Sequence, residues 1–133
     1  MFKLPYSALV AFFVFSALLF SCKTVDTHFA PGTASDIYFQ RAQQASDLYD
    51  YKTALKIYDE LLARTDIDLS TRVQAQYEVA FLNYKMGNYA VARTDFQSII
   101  FIYDDPARTT ELPIWVRILS KKVLDEIPKP AKK

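Results

Sequence analysis

The chain has 133 residues, a length within the range of one domain, and its 16 basic and 15 acidic residues leave a formal net charge of +1. That balance argues against nucleic acid as a partner, which would favour a strongly basic stripe. A single cysteine excludes an internal disulfide, and two glycines beside nine tyrosines suit packed helices better than a loop-rich or disordered chain.

At the N-terminus, Met1, Phe2 and Lys3 give a short positive start, and residues 8–20 are uncharged and rich in Ala, Val, Leu and Phe. An apolar run of about 7–15 residues suits a signal peptide, whereas a membrane-spanning helix needs about 20. Leu19, Phe20, Ser21 and Cys22 follow. They resemble a bacterial lipobox, an aliphatic residue two positions before a small residue and then cysteine. The resemblance implies acylation of Cys22, whose thiol sulfur accepts the diacylglycerol, and removal of residues 1–21. The alternative is a non-cleaved anchor. Either reading places the rest of the chain outside the cytoplasm, tethered to a membrane. Cleavage also removes Lys3 and leaves basic and acidic residues equal in number.

Residues 22–34 read as the acylated cysteine and a flexible tether. They lack helical periodicity, and Pro31 and Gly32 signal a turn. Fully extended, residues 23–34 reach about 40 Å. His28 stands alone there and reads as a solvent-exposed side chain, because a metal site needs several convergent ligands.

From Ser35 the spacing predicts helices. Ser35 is placed to cap the first, with Ile37, Tyr38, Ala42, Ala45 and Leu48 or Tyr49 on one face. Asp50 is placed to cap a second, carrying Tyr51, Ala54, Leu55, Tyr58, Leu61 and Leu62. Ser70 or Thr71 starts a third, with Val73, Tyr77, Ala80, Phe81 and Tyr84, ended by Gly87. Asn88 is placed to cap a fourth, with Tyr89, Ala92, Phe96, Ile99, Ile100 and Tyr103, which Pro106 breaks. A fifth runs from Thr110 or Glu111 to Ile127, tolerates Pro113 in its first turn, and is stopped by Pro128 and Pro130. Residues 128–133 form a basic tail.

Tyr51, Ala54 and Tyr58 recur as Tyr89, Ala92 and Phe96, each displaced by 38 residues. A constant offset marks a structural repeat. The alanine fits where two antiparallel helices cross closely, and the aromatic one turn later fills the space between hairpins. The run Tyr84, Lys85, Met86, Gly87, Asn88, Tyr89, then Ala92 and Phe96, is similar to the junction of a tetratricopeptide repeat, a helix hairpin of about 34 residues. Residues 73–106 match well. Residues 35–68 match less closely, with Tyr49 where the turn glycine usually stands. Trp115, with Ile118 and Leu119, resembles the start of a third repeat; Glu111–Ile127 is read as a capping helix. The expected fold is therefore all-α, two tetratricopeptide-like hairpins plus a capping helix in a short α-solenoid spanning residues 35–127.

The order of features resembles a more specific family. A lipobox and short linker, then Asp36, Ile37 and Tyr38 leading to Ala42, Gln43 and Gln44, is similar to the BamD family, lipoproteins of the outer-membrane β-barrel assembly machinery. The resemblance covers the N-terminal half of the family's usual five repeats and leaves unmatched the repeats expected to dock on BamA. It implies a non-enzymatic, lipid-anchored interaction module at the outer membrane, facing the periplasm. Its implied partners are other envelope proteins, BamA-type assembly factors or unfolded outer-membrane protein segments. The alternative is an adaptor for cell-envelope or peptidoglycan machinery, since fold does not fix function.

The same resemblance places Phe39 and Gln43 of the first repeat, and Tyr77, Phe81, Tyr84 and Lys85 of the second, on a concave partner-binding surface. The competing reading is that the third helix, apolar nearly all round, is simply buried between neighbours. No catalytic constellation is evident: the one cysteine precedes the domain, the one histidine lies in the tether, and no glycine-rich phosphate loop exists. Asp59 with Glu60, Asp66 with Asp68, and Asp104 with Asp105 read as solvated faces and caps. No cofactor or metal is implied. Lys121, Lys122, Lys129, Lys132 and Lys133 read as solubilising, or as a contact for anionic headgroups or an acidic partner.

Overall fold

The structure, a computed structural model, describes residues 25–129. Cys22, residues 1–21 and the end of the basic tail lie outside the described residues. The described chain is all-α: α1 (Ser35–Asp47), α2 (Tyr51–Leu62), α3 (Leu69–Lys85), α4 (Tyr89–Ile102), a single turn α5 (Pro106–Thr109) and α6 (Ile114–Glu126). Helices α1 and α2 form one hairpin, and α3 and α4 a second. Helix α3 packs on α2 and α1, and α6 packs on α4 and α3 in the same way. This is a short solenoid of two hairpins closed by a capping helix, as the spacing predicts.

The repeat is visible in backbone chemistry as well as in side chains. At the end of α1 the Asp50 N–H donates to the Ala45 carbonyl (2.9 Å) and the Tyr49 N–H to Ser46 (3.0 Å). At the end of α3, 38 residues on, Asn88 donates to Asn83 (2.9 Å) and Gly87 to Tyr84 (3.0 Å). Both ends are Schellman caps, whose turn residue must be left-handed. Gly87 supplies φ +78, and Tyr49 accepts φ 60 in the same role. The crossing alanines Ala42 and Ala54, and their counterparts Ala80 and Ala92, are fully buried. The equivalent pairs Tyr58 and Phe96, and Leu61 and Ile99, are buried as well.

Helix α3 carries the core on two sides. Ala75 and Leu82 join Tyr38, Ile57, Tyr58 and Leu61 between the hairpins. Val73, Tyr77 and Ala80 join Phe96, Ile99, Val116 and Val123 beneath α4 and α6. Burial on two sides accounts for the apolar residues on more than one face of this helix.

Four expectations are corrected. Ser35 is the first helical residue of α1, and Ala34 occupies the N-cap without a side-chain bond; instead the Asp36 carboxylate accepts from the Ile37 N–H at 2.9 Å. Asp68, not Ser70 or Thr71, caps α3: its carboxylate accepts from the Thr71 N–H (2.7 Å) and hydroxyl (3.1 Å), satisfying an otherwise orphaned donor. Asn88 makes no cap bond, because its side-chain amide donates to Asn83 Oδ1 at 3.1 Å. Finally, α6 starts at Ile114 behind Pro113, and Pro106 opens the separate turn α5, capped by Asp105. Proline at a first helical position costs nothing, since its missing N–H has no partner there. Asp50 does cap α2, accepting from the Thr53 N–H at 3.1 Å.

The proposed flexible tether is packed from Val25 onward. Phe29 stacks on Tyr38 with centroids 3.8 Å apart and planes at 8°. The Arg41 guanidinium lies 4.9 Å from the Phe29 centroid, donates to the His28 carbonyl (2.7 Å) and pairs with Asp26 at 3.4 Å. Residues 25–34 thus form a strap across α1, held by an aromatic stack and two arginines, Arg41 and Arg64, the latter donating to the Thr33 carbonyl. His28 itself is exposed.

Candidate functional site

A concavity lies where α1, α3 and α6 meet over the α2 tyrosine Tyr58. It measures about 250 Å³. Its residues follow the repeat register. Phe39, Tyr77 and Trp115 are successive equivalents at 38-residue steps, and so are Gln43, Phe81 and Leu119. The groove is a product of the solenoid: each first helix brings the same face to the same side.

Tyr77 is the centre of the aromatic arrangement. Its ring meets Trp115 edge-on at 5.4 Å and 84°, stacks on Phe81 at 6.0 Å, and leans on Phe96 at 5.8 Å. Phe81 continues to Tyr84 at 6.0 Å. The Lys85 ammonium sits over Phe81 (5.0 Å) and Tyr51 (5.6 Å), a cation–π position at the rim. Gln43 donates from Nε2 to Asp47 Oδ1 at 2.8 Å on the opposite lip.

Of the six sequence candidates, the groove gathers Gln43, Tyr77, Phe81 and Lys85. Phe39 and Tyr84 stand outside it. Phe39 is half-buried edge-on against Tyr58 at 5.4 Å, and Tyr84 packs against Phe81 and Tyr89. Tyr77 is only 6% exposed, so it belongs to the core as much as to the groove; the reading of α3 as buried between neighbours holds for this residue. Phe81 is half-buried, while Lys85 and Gln43 are exposed.

Six lining residues went unselected in the sequence: Ser46, Tyr58, Glu78, Leu82, Trp115 and Leu119. The 38-residue register points to Trp115 and Leu119. Nothing in the sequence marks Glu78, which sits in an apolar run as a solitary acid. Its burial comes from residues of other helices. Burial pushes the Glu78 carboxyl above its usual value, against the opposing pull of Lys85. Burial, and then the Glu78 charge, pushes the Tyr77 phenol up to about 12 and raises Tyr58 as well. Both phenols are therefore neutral at ordinary pH.

A second, smaller hollow of about 150 Å³ opens on the other side of α3, between Leu62, Gln76, Val79, Asp95 and α4. Its carboxyl, Asp95, is also raised by burial, and Gln76 Oε1 is buried without a hydrogen-bond partner. It holds no aromatic ring. Of the paired carboxylates, Asp66 is held by Arg64 (2.9 and 2.7 Å), which keeps it below the usual range, and Asp68 and Asp105 are caps. No three His, Cys, Asp or Glu side chains converge among the described residues.

No family model, curated protein or solved structure matches the chain. The functional reading rests on the groove and the sequence.

Proposed function

We propose that this chain is a lipid-anchored, non-enzymatic interaction module of the cell envelope, and that it captures polypeptide segments along its concave groove. The carrying observation is the coincidence of register and chemistry. Helices α3 and α6 deliver Tyr77, Phe81, Trp115 and Leu119 to one hollow, with Gln43 of α1 and Lys85 at its lips. Aromatic and aliphatic walls with polar edges suit a peptide that inserts apolar anchors while its backbone bonds at the rim.

The setting is outer-membrane protein assembly. The lipobox-like run ending at Cys22, and the BamD-like order of features after it, support a lipid anchor in the outer membrane facing the periplasm. The partners are unfolded segments of outer-membrane proteins or BamA-type assembly factors. The strap over α1 bears on this geometry. With residues from Val25 docked, only two residues separate Cys22 from the folded domain, about 10 Å of extended chain. An acylated Cys22 would hold the α1 end of the solenoid close to the bilayer.

Co-purification from detergent-solubilised membranes tests the setting. The expected companions are barrel-assembly proteins and their client precursors. Recovery of wall-synthesis enzymes instead would replace the assembly role with an adaptor role in peptidoglycan machinery.

A further inference from the structure

The groove contains a charge that its walls do not answer. Glu78, next to Tyr77 on α3, lines the hollow together with Gln43. Its carboxylate makes no hydrogen bond and no ion pair with any described residue. The one cation near it, Lys85, rests over the Phe81 and Tyr51 rings rather than on the carboxylate. Asp47 adds a second carboxylate at the Gln43 lip. The hollow itself is thus lined by one carboxylate and one ammonium that form no ion pair with each other.

The carboxylate still reaches solvent, but burial strips part of its hydration and Lys85 offsets only part of that cost, so a cation brought to it in this partly dry site gains more than it would in water. The surrounding faces of Tyr77, Phe81 and Trp115 add a second attraction for positive charge. The apolar walls would cover the methylene stem of a long basic side chain while its head reaches the floor. Resting on the peptide-groove reading above, we infer that the groove is a pocket for one basic side chain, arginine or lysine, of the bound polypeptide, with Glu78 as its counter-charge.

The chain has one tryptophan, Trp115, and it lines this groove, so its emission reports occupancy without a label. The probes are acetylated and amidated heptapeptides with two phenylalanines flanking a central arginine, lysine, norleucine or glutamate. Titrated into the full chain in detergent, the arginine and lysine peptides are expected to bind about tenfold more tightly than norleucine, and glutamate most weakly. Glu78→Gln should bring arginine, lysine and norleucine to one affinity, with an unchanged helical spectrum. Lys85→Met should tighten the basic peptides, by removing the competing ammonium. Equal affinities for basic and norleucine peptides in the unmodified chain overturn the counter-charge role and leave the groove standing. So does a basic preference that survives Glu78→Gln. Failure of every peptide to move Trp115 emission removes the groove reading itself, and this inference with it.

Discussion

Ala92 offers the sharpest test of how the hairpins are put together. It is fully buried, as is Ala80 of the facing helix, and the equivalent Ala42 and Ala54 are fully buried in the other hairpin. Leucine at position 92 adds three carbon atoms where the surrounding core of Tyr77, Ala80, Phe96 and Ile99 leaves no solvent-accessible surface. Overpacking of this kind costs about 1–3 kcal/mol. Ala90 lies two residues away on the same helix and is exposed. Leucine is nearly as good a helix former as alanine, so Ala90→Leu should stay within about 0.5 kcal/mol of the parent. For a domain of this size each kcal/mol moves the midpoint by about 4–8 °C. Thermal unfolding followed by circular dichroism should therefore separate the two variants clearly, with Ala92→Leu the lower. Equal midpoints would mean that α3 and α4 do not cross at Ala92, and the 38-residue register would be wrong.

The two helix-ending turns invite a paired experiment: Gly87→Ala should lose about 1–2 kcal/mol to left-handed strain alone, because its new Cβ meets no atom within 4 Å. Tyr49→Gly, at φ 60 on an 80% exposed residue, should be neutral to slightly stabilising, as released strain exceeds glycine's entropic cost of about 0.5–1 kcal/mol; denaturant midpoints check both. Glu78→Gln should stabilise the fold at neutral pH. Burial raises the folded-state pKa above its unfolded value, so the native state holds the proton more tightly, and stability falls as pH climbs through the interval between those two values. The advantage of glutamine should accordingly vanish once pH falls below the ordinary glutamate range, and a gain that persists there refutes this origin. Cys22→Ser should leave residues 1–21 attached and the protein unacylated. Mass spectrometry of the N-terminus decides this, and an unmodified Cys22 in the unaltered protein would sink the lipoprotein reading.

What could be read in advance divides along physical lines. Helix pairing was legible because Ala54, Tyr58, Ala92 and Phe96 obey a local spacing, and packing only had to respect it. The Asp50 cap was legible for the same reason. The α3 cap was not, since Asp68, Ser70 and Thr71 are all competent and only backbone geometry selects the carboxylate two residues earlier. The strap was missed because its hold is tertiary: Phe29 needs Tyr38, and Asp26 needs Arg41. That Tyr77 is core as well as groove was not legible, because its cover comes from Trp115 of α6 and Phe96 of α4. Glu78 was invisible as a site residue, because its neighbours come from three other helices and a lone acid in a sequence looks solvated.

Photo-crosslinking from inside the groove tests the account most directly. A benzophenone amino acid replaces Gln43, exposed on the groove lip, or Gln97, exposed on α4 away from it. Irradiated cells expressing the Gln43 variant should yield adducts identified by mass spectrometry as outer-membrane β-barrel precursors or their assembly factors, and the Gln97 variant should not. Adducts from Gln97 alone, or from neither position while the protein is folded and anchored, would contradict the concave groove as the working surface of this protein.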